Sequence, residues 1–387
     1  MTRRWLIAAG VAGALLPAGR AAAHQGSITY LDAHISEDRA RVDLRLRIDV
    51  RDTLEPLGLD RDQPPDAAAI AARGPDLLAY VLDKVTVEGD DQDCTDIGGA
   101  VAVASGFAEV TWSVSCPQPI EQLAIEYDLF FDIDPLHTCN LVVYRGDERA
   151  IAPLQADTSR FEWNLRAAPP GAFVPFLRLG IHHILSGFDH LSFLLGLLLI
   201  AVIAAERSRL PSASGGYGGV ALRVRGVVPA IRYTAVIATS FTLAHSITLA
   251  LAALGWVTLP SRLVESAVAA SIVYVAVENL VRPEPTRRWM LTFAFGLCHG
   301  LAFASNLRAQ LPPTDVLWPL LAFNAGVELG QLAVIVVTVP ILHLLAARIL
   351  GPQRYRALFV TTASAVIALL GLIWLLERAL AVKILGL

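Results

Sequence analysis

The chain has 387 residues, of which 55% are hydrophobic and 17% charged, with a mean hydropathy of +0.54; this is too apolar for a soluble protein throughout. A net charge of -4, with no basic patch outside short loops, argues against a nucleic-acid partner. Four cysteines without CxxC spacing exclude a disulfide scaffold and a cysteine-rich zinc module.

Residues 1 to 23 read as an export signal, with Arg3 and Arg4 before an apolar stretch from Trp5 to Leu16 and Ala21-Ala22-Ala23 as the small-residue cut. The stretch TRRWLI has a faint twin-arginine character, but two early arginines are equally ordinary in general export. Cleavage there makes His24 the new amino terminus. Its amine and ring can chelate copper, although mere adjacency to the cut explains the residue as well.

Residues 24 to 170 are expected to form an exported, periplasmic, antiparallel β-sandwich-like domain. Arg41 to Arg51 alternate strictly: Val42, Leu44, Leu46, Ile48 and Val50 fall on one face and charged residues on the other, the pattern of a half-buried strand. Similar alternation recurs near 107–114, 122–130, 140–144 and 160–165, and a helical insert is expected between Asp66 and Leu82, interrupted at Gly74-Pro75. Cys94 and Cys116, at the ends of neighbouring strand candidates, are the favoured disulfide in this oxidising setting. That leaves Cys139 beside His137, a pair that reads either as a soft-metal site or as a half-buried strand thiol next to a loop histidine.

After Pro169-Pro170-Gly171 the composition turns apolar, and residues 171 to 387 are expected to be an all-α polytopic membrane domain. Six spans are counted, near 177–204, 232–253, 261–281, 289–307, 315–346 and 357–380, each close to or above the roughly 20 residues a helix needs to cross. Alternate loops hold Arg207, Arg209, Arg223 and Arg225, then Arg282, Arg287 and Arg288, then Arg348, Arg354 and Arg356, whereas the opposite loops hold little beyond Arg262 and Arg308. The positive-inside rule then puts both termini outside a bacterial inner membrane. The Arg207–Gly226 loop, with its SASGGYGG run, reads as a flexible linker.

This topology gathers polar residues in an outer-to-middle layer: His183, Asp189 and His190 on the first span, His245 on the second, Glu265 and Ser266 opening the third, His299 on the fourth, and Asn324 and Glu328 on the fifth. Glu278 and Asn279 fall toward the cytoplasm. His183 and His190, seven apart, share a face of a continuous helix, while Asp189 joins them only if Gly187 breaks the turn. Asn324, Glu328 and Gln331 form one stripe. An ionisable side chain at mid-membrane costs about 2.5 to 3.5 kcal/mol on insertion scales, so such a cluster points to a metal or proton site more than to helix glue. His182 and His343 read as ordinary hydrogen-bonded membrane histidines. Imidazole and carboxylate donors with almost no thiolate suit zinc, nickel, cobalt or iron.

The segment Gly180–Leu199, in which His183 is followed six residues later by Asp189-His190, resembles the HxxxxxDH signature of the HupE/UreJ family of membrane proteins. ATSFTLAHS, SIVYVAVEN, FGLCHGLAFA and FNAGVELGQ are similar to the family's other stretches, so the resemblance covers about 175 to 380. It implies a nickel or cobalt permease with metal-binding roles for His183, Asp189, His190 and His299. Short family members continue past the last of these with a second histidine, whereas this chain carries Phe303 there; Glu328 or His245 is the expected replacement ligand.

Three functions follow from the sequence. In a permease, a cation captured at His183, Asp189 and His190 would pass His245, His299 and Glu328 toward Glu278, with ligands at graded depths. An intramembrane zinc hydrolase would instead hold one compact set of three histidines, with Asp189 or Glu328 as general base. The third reading is a structural or sensory membrane protein whose β domain contacts a periplasmic protein partner. The lipid bilayer and a transition-metal ion are the remaining expected partners.

Overall fold

The computed structural model describes residues 27–60, 66–104, 106–207, 220–257, 259–282, 287–310 and 317–380, with the side chains of 206–221 and 303–310 left aside. The expected export signal, His24 and most of the Arg207–Gly226 loop lie outside the described residues. The chain divides into two compact units, residues 24–179 with 310–322, and residues 180–309 with 323–387.

The first unit is β-rich. Strands β1 (Ile28–Ile35), β2 (Arg41–Asp49), β5 (Thr95–Ala104), β6 (Phe107–Ser115), β8 (Thr138–Arg145) and β9 (Glu148–Leu154) form a six-stranded sheet in the order β5-β6-β2-β1-β8-β9. Strands β3 (Val85–Gly89), β4 (Gln92–Asp93), β7 (Gln122–Tyr127) and β10 (Arg160–Asn164) form a second sheet, ordered β10-β7-β3-β4. All pairings are antiparallel except β1 with β8, which run parallel from Ile28↔Thr138 to Ile35↔Arg145. The alternation read at 41–51 is the burial pattern of β2: Val42, Leu44, Leu46 and Ile48 are inside, and they share one core with Val87, Ile125, Tyr127 and Trp163 of the other sheet. The expected helical insert is two short helices, α1 (Ala67–Ala72) and α2 (Gly74–Lys84). Asp66 caps α1 by accepting from Ala68 N–H at 2.9 Å, and Pro75 stands in the first turn of α2, where its missing N–H costs nothing. Cys94 and Cys116 are joined as a disulfide.

The soft-metal reading of His137 and Cys139 does not survive. Ser27 donates its N–H and its hydroxyl to Asp134 Oδ2 at 2.7 and 3.1 Å, so its oxygen meets His137 Nδ1, 2.6 Å away, as acceptor. His137 Nε2 lies 2.9 Å from the Tyr127 hydroxyl, which is 2.6 Å from Thr29 Oγ1. Both ring nitrogens are engaged and the imidazole is neutral, with burial lowering its pKa to about 4. Burial likewise pushes the Cys139 thiol up to about 12, the reverse of a thiolate ligand.

The chain from Phe173 on is mostly helical: α3 (Phe173–Ser186), α4 (Phe188–Leu198), α5 (Val227–Ala253), α6 (Ser261–Val281), α7 (Arg288–Gln310), α8 (Leu317–Leu350) and α9 (Pro352–Leu380). Four of these, α5, α6, α8 and α9, are long and apolar enough to cross a membrane, and α3 with α4 makes a fifth, broken span. The fourth expected span, 289–307, coincides with helix α7, which is not among the helices long and apolar enough to cross, so among the described residues four or five of the six expected spans are found.

The first expected span is corrected in two respects. It is not continuous, because α3 and α4 bend by 67° at Gly187. Nor does it run to 204: helix ends at Leu198, and the chain turns into β11 (Ile203–Arg207), which pairs antiparallel with β12 (Val220–Val224). The run Leu199–Ile203 is buried as turn and strand against Leu342, Tyr355 and Phe359, and an unbroken apolar run carries no period to distinguish that from helix. Ending a helix inside the protein strands its last carbonyls. Here Asn279 Nδ2 donates to Gly196 O at 2.7 Å, Arg288 Nη1 to Leu197 O at 3.2 Å, the Tyr355 hydroxyl to Leu199 O at 2.7 Å and Arg225 Nη1 to Ala201 O at 3.0 Å.

Candidate metal centre

The break at Gly187 builds the centre. A Cβ there would stand 2.7 Å from the His183 carbonyl oxygen and 3.1 Å from His190 Nδ1, so only glycine lets the chain turn this tightly between the two histidines. The turn swings Asp189 back over its neighbour, where Oδ1 accepts from His190 N–H at 2.8 Å and lies 2.9 Å from His190 Nδ1. The carboxylate accepts the Nδ1–H of His190, which keeps the proton on Nδ1 and leaves Nε2 as the lone-pair atom, the arrangement that orients a ligating histidine.

Four imidazoles from four helices meet around this turn. The His190 ring centroid is 4.6 Å from that of His183 (α3), 6.1 Å from His245 (α5) and 5.1 Å from His299 (α7), and His183 lies 6.3 Å from His245. Asp189, His190 and His299 offer ligand atoms all within 4.8 Å of one another. His190, His245 and His299 are 6%, 0% and 1% exposed, whereas 42% of the Asp189 side chain is open. Among the described residues, His190 Nε2, both ring nitrogens of His245 and His299 Nδ1 are buried without a hydrogen-bond partner, which an imidazole tolerates poorly unless something else takes the lone pair. Phe193, Phe241 and Phe323 wall the centre, with ring centroids 5.2 and 5.0 Å from His299 and 5.5 Å from His183 respectively. Nitrogen and carboxylate donors in such a setting suit a divalent transition metal.

Glycine also brings the helices close enough for this. A side chain at Gly180 of α3 would strike the Phe323 carbonyl of α8, and one at Gly300, next to His299, would strike the His245 carbonyl and Thr248 hydroxyl of α5.

Other residues of the expected layer are placed elsewhere. Glu328 is not in the group within mutual ligand distance; its Oε1 accepts from Thr239 Oγ1 of α5 at 2.5 Å, and Gln331, one turn on, accepts from Thr242 at 3.0 Å. The stripe on α8 is therefore a polar seam against α5. Glu265 pairs with Arg378 at 3.5 Å. Glu278, expected as an inward way-point, is held by Arg282 and Arg288 at 3.5 and 3.4 Å. His343 Nδ1 meets the Arg225 carbonyl at 3.0 Å, and His182 lies beside Ser186, as ordinary membrane histidines do.

Sequence reasoning missed Arg288 and Ser271. Arg288 was counted with loop charges but is 2% exposed and also bonds Asn279 Oδ1; its place at the first position of a helix was the available signal. Ser271, 3.0 Å from His299 Nε2, carries no local signal at all, since the contact joins residues 28 apart.

No curated protein matches the chain. The family model described as HupE / UreJ protein matches residues 159–378, a stretch that takes in every helix bearing the four imidazoles. With more than half of its length matched, including the broken span and the centre built on it, the chain belongs to the HupE/UreJ family.

Proposed function

We propose that the protein is a permease for a divalent transition-metal cation, nickel or cobalt, captured from the periplasmic side. The observation that carries this reading is the convergence of His183, His190, His245 and His299 from four separate helices beside Asp189, with ring nitrogens of His190, His245 and His299 buried without partners among the described residues. The half-open Asp189 is the first contact for a cation arriving from water, and the imidazoles replace its hydration shell. Family membership supports metal uptake. Glu328 belongs to the polar seam next to the centre and serves as a later contact, while Glu278 with Arg288 closes the opposite end.

The same reading assigns residues 1–23 to a signal peptide, 24–170 to a periplasmic β domain free to meet a protein partner, and 171–387 to the bacterial inner membrane. In proteoliposomes, the wild type takes up nickel or cobalt down an imposed gradient and His183→Ala lowers the initial rate at least about tenfold, in line with the loss of one member of a metal site. Equal rates for the two proteins would refute the proposal.

One observation favours a second reading. The compactness of Asp189, His190 and His299 is what an intramembrane metallohydrolase requires, with the carboxylate activating a metal-bound water. Metal-dependent cleavage of a lipid or peptide by protein that transports nothing would select it.

A further inference from the structure

The centre has a positioning residue on a helix that contributes no ligand. Ser271 of α6 is 1% exposed, and its hydroxyl has two neighbours: the Val268 carbonyl oxygen at 2.7 Å and His299 Nε2 at 3.0 Å. A serine has one proton to give, and a carbonyl can only accept. The proton is therefore spent on Val268, and Ser271 Oγ faces the imidazole as an acceptor. That requires a proton on Nε2 and leaves the lone pair on Nδ1, the buried His299 atom without a hydrogen-bond partner. The same logic operates at His190, where Asp189 accepts the Nδ1–H and leaves the lone pair on Nε2.

We propose that Ser271 sets the tautomer of His299, so that Nδ1 is the atom this histidine presents to a bound divalent cation. The idea rests on the metal-site reading above. A histidine of the opposite tautomer would turn an N–H toward the cation, and binding would first have to move a proton inside a dry site. Ser271 thus acts through His299 and does not touch the cargo.

The test uses the full chain in detergent, with Ni2+ alone as probe. In the metal-free wild type, two-bond 1H–15N correlations of the histidine rings, with the His299 signal assigned by its absence from His299→Asn, show an Nε2–H tautomer. In Ser271→Ala that signature is lost, and Ni2+ affinity falls about 10- to 100-fold at unchanged limiting stoichiometry. Ser271→Thr keeps the hydroxyl on its backbone carbonyl and restores both readouts to within a few-fold. An Nδ1–H tautomer in the wild type overturns the proposal, and so does unchanged affinity in Ser271→Ala. If Ser271→Ala does not fold, the wild-type tautomer and the behaviour of Ser271→Thr decide. If the wild type binds no Ni2+, the metal reading fails, while the ring correlations still decide whether Ser271 holds His299 as stated.

Discussion

At His137 a neutral imidazole is built into the β-domain core, and its surroundings decide how the domain responds to acid. Asp134, Tyr127, Ser27 and Thr29 face it, and burial outweighs the attraction of Asp134. Unfolded, the ring takes up its proton near 6.5; folded, only at about 4. As pH falls through this window the unfolded chain binds a proton that the folded domain refuses, so stability present above pH 6.5 is lost by pH 4, by about 3 kcal/mol. Corrected for its intrinsic pH dependence, the exchange protection of the β1 and β8 amides should fall from pH 7 to 4, and His137→Gln should flatten that dependence. At the metal centre the corresponding expectation is chemical. Wild-type protein equilibrated with nickel retains about one ion per chain by elemental analysis, and His190→Ala, which deletes the imidazole common to the closest ring contacts, retains none.

At the level of elements, the helical unit depends on close crossings and on a helix that stops inside the protein. Gly180→Val forces α3 off the α8 backbone and Gly300→Val forces α7 off α5; overpacking of this kind costs about 1 to 3 kcal/mol and more where backbone must move. Both variants should melt earlier in detergent than the wild type, and Gly300→Val should also lose metal, because it displaces His299. The end of α4 makes a different demand. Arg288→Ala leaves Glu278 buried with only the exposed Arg282 beside it, and strips a donor from the Leu197 carbonyl. Breaking a buried pair from one side costs about 3 to 5 kcal/mol. Thermal melts should show a large loss for Arg288→Ala and partial recovery in the Arg288→Gln, Glu278→Gln double variant; equal melting of all three would refute the role given to the pair.

For the whole molecule, the proposed orientation rests on the distribution of loop arginines and not on helix packing. With both termini outside, a cysteine at Arg262 reacts in intact cells with a membrane-impermeant maleimide, while one at Arg287 reacts only after lysis. The reverse pattern would turn the proposed cation path around. It would also place the β domain, with its disulfide, in a reducing compartment where such a bond is unexpected.

Much of this was legible in the residues themselves, for reasons of local physics. Strict alternation at 41–51 admits one structure, a strand with one face buried, and apolar stretches of membrane length between charged loops admit few readings but helices. His183, Asp189 and His190 stood out because charge beside a membrane segment is costly enough to demand an explanation. Tertiary structure alone decided the rest. Nothing local told the buried turn at Leu199–Ile203 from more helix, since both are apolar on every side, or distinguished Glu328 as a seam residue from Glu328 as a ligand, since that turns on whether Thr239 or an imidazole lies opposite. Arg288 reads as a loop charge until α4 and α6 close over it, and Ser271 as filler until α6 and α7 bring its hydroxyl to His299. Contacts between distant residues depend on how helices cross, and no stretch of sequence records the partner it will meet.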